Sequence, residues 1–448
     1  ASRTLVVRVS PTPALRVQSF AVVQASTGLS LDVIPHVSGT AGRVSLSAVR
    51  VLDDADASAT IGSDGTSIDF EAAGVGEYLV GFTVSDGISE ASGTARVTVL
   101  GEDAPAALAT APVIAFVQPR EDVTVDVLAA VHNPTGRVLL LSEASATPAA
   151  GASLSFDVVA ESSLRVSGTT ASGAPGPLGT VRYTVSDGTG DVGARVAGEA
   201  TVYLLPPAPE LAPIAVDDAI VVRAGAQIDI PVLENDIAPS GSAIRLNPAG
   251  VVSSSPDALA FASGSRLRYL APSRPGQYEI EYAIFSAGAP ALGDTATVRV
   301  TVLPADANRA PRPTTLEGRV LSGQAVSIPF RDFGVDPDGD AVVLEQLETQ
   351  PASGSAALSA DGASIVYTSV PGFQGQVSFR YRVRDGDGAT GVGTARVGVL
   401  DAQANPSPVT FTDYVQVQAG EGHTLRISPT ANDLDPMGGT LSVTAVIP

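Results

Sequence analysis

The sequence predicts an all-β protein, a tandem array of β-sandwich domains of about 100 residues drawn out into an extended rod. Three observations predict it. A hydrophobic strand closes on Leu100, Leu205, Leu303 and Leu400, the same ending at near-equal spacing. Three of these endings follow an Asp-Gly turn, at Thr83-Val84-Ser85-Asp86-Gly87, Thr184-Val185-Ser186-Asp187-Gly188 and Arg382-Val383-Arg384-Asp385-Gly386. Asp-Gly between alternating apolar runs is the strongest short-range hairpin signal. Elsewhere the alternation has period two, and no window carries a capped 3.6-residue period, so no long helix is expected.

Taken in order, residues 1–11, with Leu5-Val6-Val7-Arg8-Val9, read as the closing strand of a preceding repeat. Repeat 1 spans 12–102, repeat 2 spans 103–206, repeat 3 spans 207–304 and repeat 4 spans 305–400, and 401–448 read as part of a fifth. On this reading the sequence is a section of a longer protein. Each repeat has an opening strand, a second strand such as Gln227-Ile228-Asp229-Ile230-Pro231-Val232-Leu233, a polar loop, and a third strand such as Ala341-Val342-Val343-Leu344. A glycine-bearing turn then precedes the penultimate strand, as at Gly74-Val75-Gly76-Glu77-Tyr78 and Pro275-Gly276-Gln277-Tyr278. Phe82, Tyr183, Tyr282 and Tyr381 follow in register and are expected in the cores. Repeat 3 keeps the flanks of the late hairpin but replaces its turn with Phe285-Ser286-Ala287-Gly288. The linkers 101–105, 206–213, 306–313 and 401–408 carry proline, which fixes φ and stiffens a connection. A rod of roughly 150 Å is therefore expected, each repeat touching its sequence neighbours.

The chain of 448 residues has a net charge of −21 and a pI near 4.4. Such a surface repels nucleic acid and anionic lipid, which excludes both as partners, and no apolar run reaches the length that spans a bilayer. There is no cysteine or tryptophan, so the disulfide-and-tryptophan core of antibody domains is excluded. Every basic residue is arginine, which excludes Lys-Asn isopeptide cross-links. With aromatic residues at 5%, no exposed aromatic platform for a ligand is expected.

Three stretches carry a family resemblance: Ala215-Val216-Asp217-Asp218 followed by Val232-Leu233-Glu234-Asn235-Asp236, then Asp336-Pro337-Asp338-Gly339-Asp340, and Asn432-Asp433-Leu434-Asp435-Pro436-Met437-Gly438-Gly439. The chain resembles the bacterial Ig-like and cadherin-like tandem repeats of large surface proteins. The resemblance implies an Ig-like sandwich for each repeat and an extracellular or cell-surface location. Repeats 1 and 2 depart from the pattern, with Pro35-His36-Val37-Ser38-Gly39 and Ala130-Val131-His132-Asn133-Pro134 where the acidic residues would stand. An acidic site is expected to be lost there.

The richest cluster of chemistry-bearing residues is in repeat 4, with Asp332, Asp336, Asp338 and Asp340 in one loop and Asp385 and Asp387 in the late hairpin. In an Ig-like sandwich these loops share one end, and calcium takes six to eight oxygens from flexible acidic loops. The preceding linker adds Asp306 and Asn308, in a run resembling the cadherin linker that shares calcium between domains. Asp336, Asp338, Asp340, Asp385, Asp387, Asp306 and Asn308 are thus the candidate calcium ligands, with Asp433 and Asp435 a second place to look. The competing reading is that Asp-Gly and Asp-Pro form turns with solvated carboxylates. Catalysis has little to work with. His36, His132 and His423 fall in different repeats, and no Gly-x-Ser-x-Gly elbow or phosphate loop is present. The expected function is a structural spacer or scaffold section, with neighbouring repeats as partners and no enzymatic activity. The alternatives are an adhesin module that itself binds a protein or glycan, and the stalk of an enzyme whose catalytic domain lies elsewhere.

Overall fold

The computed structural model describes residues 15–24, 28–38, 44–52, 56–87, 89–100, 107–207, 211–240, 242–410, 426–430, 433–437 and 439–446. The strand read at 1–11 lies outside the described residues. Of the fifth repeat, the described part is held by a bridge between Val409 and Leu434.

Four sandwiches follow one plan. In repeat 4, Leu316–Leu321, Thr390–Leu400, Gly375–Asp385 and Val342–Leu347 make one sheet, and Ala325–Pro329, Ser364–Thr368 and Ser355–Leu358 make the other. Repeats 1, 2 and 3 use the same order. The opening strand always pairs parallel with the last one, as Phe20 with Ala95, Val113 with Ala200, Asp218 with Val298 and Leu316 with Ala395. Alternation then decides burial. Along Gly375–Asp385 the residues Val377, Phe379, Tyr381 and Val383 face inward, and removing such side chains from water stabilises each by about 1.5–3 kcal/mol. Each repeat closes over its own core. The helical elements among the described residues are three turns of 3-10 helix, Ile34–His36, Leu128–Ala130 and Pro248–Gly250. No helix among them is long and apolar enough to cross a membrane.

The third strand bends at one place. Its register with the penultimate strand shifts between Leu46 and Ala48, Leu141 and Glu143, and Leu344 and Gln346, a bulge that repeats 1, 2 and 4 share. Repeat 3 breaks the strand instead, because Pro248 has no N–H for the ladder. There the Asn247 side chain accepts a bond from the Ala249 N–H at 3.1 Å, and the turn separates Ile244–Leu246 from Val252–Ser253.

Phe82, Tyr183, Tyr282 and Tyr381 are all at most 2% exposed. Across the hairpin, Phe82 faces Gly93, Tyr183 faces Gly198 and Tyr381 faces Gly393. The rings lie over these glycines: a Cβ on Gly198 would stand 2.5 Å from the Tyr183 ring, and one on Gly393 would stand 2.4 Å from that of Tyr381.

The simple rod is not what the chain forms. Repeat 4 packs against repeat 2 as well as against repeat 3, with Leu140 of repeat 2 buried beside Leu321 and Leu400 of repeat 4. Proline restrains its own φ and leaves the other linker residues free, so the linkers permit the fold-back. What favours it is Leu140, which points away from its own repeat's core and leaves water only through this contact.

Placing a methyl group under the tyrosine should cost repeat 2 roughly 1–3 kcal/mol, by overpacking. Gly198→Ala is expected to lower its denaturant midpoint accordingly, whereas Gly190→Ala, into open space, should leave it within about 0.5 kcal/mol. Equal effects of the two substitutions would contradict the packing described.

Candidate cation site at the repeat ends

The late hairpin presents its aspartate inward. Asp86, Asp187 and Asp385 are 7%, 0% and 1% exposed. Each accepts bonds from its own turn: Ser89 N–H at 2.8 Å to Asp86, Thr189 N–H at 2.9 Å to Asp187, and Asp387 N–H at 3.0 Å with Ala389 N–H at 2.8 Å to Asp385. These are turn-forming contacts, but the carboxylates are not solvated. A buried carboxylate needs hydrogen-bond donors, a positive partner or a proton, since desolvation penalises its charge.

Repeat 2 supplies the partner from within. Asn133-Pro134-Thr135-Gly136-Arg137 stands where repeat 4 has Asp336-Pro337-Asp338-Gly339-Asp340. Arg137 Nη1 donates to Asp187 Oδ2 at 2.9 Å and to Asp191 Oδ2 at 2.7 Å. Burial works to raise the Asp187 carboxyl, but the bonds from Thr189 and Arg137 outweigh it and hold the group below its ordinary range.

Repeat 4 draws its positive charge from outside. Asp336 and Asp338 are buried, and the Asp340 side chain is 5% exposed. Arg309, in the linker, donates its backbone N–H to Asp338 Oδ2 and its Nε to Asp338 Oδ1 at 2.7 Å. Arg223, at the end of the opening strand of repeat 3, donates its Nε to Asp340 Oδ1 at 2.7 Å and pairs with Asp387. The Arg223 side chain is only 14% exposed, so repeat 3 plants a guanidinium inside repeat 4. Gly339 makes this approach possible. Its φ is 79°, and a Cβ there would stand 2.0 Å from the Val221 carbonyl oxygen of repeat 3. Sequence reasoning missed Arg223. The available signal was an arginine before the Ala224-Gly225 turn, where repeat 4 has Leu321 before Ser322-Gly323.

Of the sequence-derived candidates, Asp336, Asp338, Asp340, Asp385 and Asp387 share one end of repeat 4 and influence one another. Asp332, Asp306 and Asn308 are exposed, and the linker meets the cluster through Arg309. Asp435 turns its oxygens to the N–H groups of Met437 and Gly439, at 2.8 and 2.9 Å. His36 stacks on Phe20 at 3.9 Å, and burial lowers both His36 and His132. His423 lies outside the described residues.

Five carboxylates against two guanidiniums leave three negative charges in the cluster. Asp336 Oδ2, Asp340 Oδ2 and Asp385 Oδ2 are buried without a hydrogen-bond partner. Burial, then repulsion from neighbouring carboxylates, raises Asp336; burial also raises Asp340, against the pull of Arg223. An all-oxygen set with unpartnered buried oxygens has the donor chemistry of a hard cation such as calcium. Among the described residues no three His, Cys, Asp or Glu side chains are already arranged as a metal cage. The guanidiniums hold three of the five carboxylates, Asp338, Asp340 and Asp387.

Repeat 3 has its own acidic pair in a different place. The Tyr282 hydroxyl lies 3.1 Å from Asp218 Oδ2 and 3.3 Å from Asp236 Oδ1, and Asp236 Oδ2 is buried without a partner. Burial pushes both carboxyls up to about 6, opposed by the tyrosine and, at Asp218, by Asn235. Glu161 in repeat 2 is 5% exposed, and burial pushes it up to about 7 against the pull of Arg319 of repeat 4.

Residues 307–398 match the family model of the bacterial Ig domain. No curated protein matches the chain. Among solved structures the chain is similar to Drosophila N-cadherin EC1-4, at 12% identity and a TM-score of 0.22, over 86% of this chain and 99% of that one. It is similar to Sidekick-1 immunoglobulin domains 1-4, at 12% identity and 0.21, over 88% and 98%. It is also similar to an endo-fucoidan hydrolase from glycoside hydrolase family 107, at 14% identity and 0.21, over 66% of this chain and 45% of that one. The chain thus spans less than half the length of that hydrolase, and scores of this size say nothing about function.

The Asp218–Asp236 pair gives a pH dependence of known sign. Both groups hold a proton more tightly folded than unfolded, so their contribution is full below the ordinary carboxyl range near pH 4. It falls as the pH rises to about 6 and is flat beyond. Hydrogen exchange of the core amides of Val298 and Val300 should show repeat 3 opening more readily across this window, and Asp236→Asn should flatten the slope. A wild-type slope that is absent or reversed, with no difference from the variant, would contradict the assignment.

The repeat at 307–398 carries the sequence pattern of the bacterial Ig domain, within an array of sandwiches that share its strand order.

Proposed function

We propose that this chain is a spacer or scaffold section of a bacterial surface or extracellular repeat protein, in which the repeats are held in fixed relation by cations buried between them. The observation that carries the reading is the junction of repeats 3 and 4. A spacer must transmit orientation from one repeat to the next, and a guanidinium paired to two carboxylates of its neighbour restricts both direction and twist. Calcium belongs to the same proposal. Bound among Asp336, Asp340 and Asp385, it would supply the charge that Arg223 and Arg309 leave uncompensated and tighten the junction further. No catalytic step is part of this reading.

One observation favours the adhesin alternative. Phe116 and Tyr203 are 54% and 38% exposed, with ring centroids 6.1 Å apart on the outer face of repeat 2, and Ile114 beside them is 59% exposed. This row corrects the expectation that the chain shows no exposed aromatic cluster. Paired exposed rings with an apolar flank are a surface on which a protein or a sugar face can stack.

The chain has no cysteine, so single pairs can be introduced cleanly for spin labels. With Glu279→Cys in repeat 3 and Ser378→Cys in repeat 4, a narrow distance distribution is expected that Arg223→Gln broadens. Calcium should narrow it and raise the melting of repeat 4, with Asp385→Asn losing the calcium effect. A wild-type distribution as broad as that of the Arg223 variant would remove the spacer reading. Indifference of both readouts to calcium and chelator would remove calcium alone.

A further inference from the structure

The contact between repeats 2 and 4 is built like a plug in a socket. The socket is a row across the outer face of repeat 4, where Arg319, Gly398 and Gln376 stand side by side on three adjacent strands. The plug is Gly136–Leu141 of repeat 2, at the start of its third strand. Gln376 reads the plug's backbone in both directions, accepting from the Val138 N–H at 3.0 Å and donating to the Val138 carbonyl at 2.9 Å. Arg319 Nε donates to the Leu139 carbonyl at 2.7 Å, Arg396 to that of Gly136 at 2.8 Å, and Asn405 to that of Leu141 at 2.7 Å. The Leu140 side chain, 0% exposed, fills the space above Gly398, where a Cβ would stand 2.5 Å from its Cδ1.

Two residues make this pairing specific. At the position of Leu140, repeat 1 has Ser45 and repeat 4 has Val343, which is 50% exposed. At the position of Gly398, the other repeats have Thr98, Tyr203 and Thr301, each with a side chain that would occupy the space the leucine enters. The leucine therefore belongs to repeat 2 alone and the gap to repeat 4 alone. Plug and socket lie in separate repeats with separate cores, joined through the whole of repeat 3. Nothing in the contact requires both halves to come from one chain. Exchange of identical elements between copies is a low-cost route to association, because the same bonds form either way.

We propose that the Arg319–Gly398–Gln376 face is an interaction surface whose partner is the Gly136–Leu141 segment of a second copy of this chain, so that copies associate by exchanging the contact that each also makes with itself. The contact is small, and internal closure prevails when the chain is dilute. Raising the concentration favours exchange. Two copies that each give a plug and take one close into a dimer, and a copy that takes from one neighbour and gives to another extends a fibre.

The test uses the full chain in sedimentation equilibrium from dilute to concentrated solution. Wild type is expected to associate as concentration rises. Leu140→Asp removes the plug and Gly398→Leu blocks the socket, and each should weaken self-association at least tenfold. Circular dichroism reports whether each variant folds. Mixing the two supplies the deciding arm, because the Leu140 variant keeps its socket and the Gly398 variant keeps its plug. Association restored in the mixture, through one intact contact per pair, supports the proposal and cannot arise from damaged folding. A wild type that stays monomeric throughout, variants that associate as well as wild type, or a mixture that remains monomeric would each overturn it.

Discussion

A carboxylate taken out of water must meet hydrogen-bond donors or a positive charge, or keep its proton, and this array places several carboxylates at the ends of its sandwiches. The cost of a buried unpaired charge is large enough that its partner becomes structurally obligatory. With no lysine in the chain, that partner is arginine, whose planar fork can bond two carboxylates at once. The distance from which the arginine comes then decides how far the interaction reaches. In repeat 2 it is Arg137, in the neighbouring loop of the same repeat. In repeat 4 one is Arg309 from the linker and another is Arg223 from the repeat before. An electrostatic requirement local to a hairpin thereby becomes a joint between domains.

This joint explains features that are otherwise separate. Gly339 must lack a side chain because the end of the repeat 3 strand lies against it. The linker must run past Asp338, since the Arg309 backbone and side chain both bond to it. The carboxylate oxygens left without partners mark where the guanidiniums fall short, the place for which calcium is proposed. Repeat 3, whose hairpin has Ser286 in place of the aspartate, needs no such partner at that end. There Leu211 N–H bonds to Ser240 Oγ at 2.6 Å, a neutral counterpart of the contact that Arg309 makes with Asp338.

What could be read in the sequence follows from range. Period-two alternation and Asp-Gly turns are local, so the sandwiches, the late hairpins and the buried aromatics at Phe82, Tyr183, Tyr282 and Tyr381 were legible. The gathering of Asp336, Asp338, Asp340, Asp385 and Asp387 was legible too, because loops at one end of a sandwich converge. Their burial was not, since an aspartate in a turn looks the same whether solvated or covered by a neighbouring repeat. Arg223, Leu140 and Gly398 take their meaning from surfaces over a hundred residues away in the chain. Proline content gave the stiffness of single bonds and not the direction of the array, which Leu140 turns back on itself.

The most direct test of the account is a double-mutant cycle across the junction, with Arg223→Gln, Asp340→Asn and their combination, read by unfolding of repeat 4. If the buried pair holds the repeats together, each single change destabilises repeat 4 and the double costs less than the sum, with a coupling of about 1–3 kcal/mol. Additive effects, or single variants as stable as wild type, would mean that the guanidinium is a bystander and that the joint rests on something else.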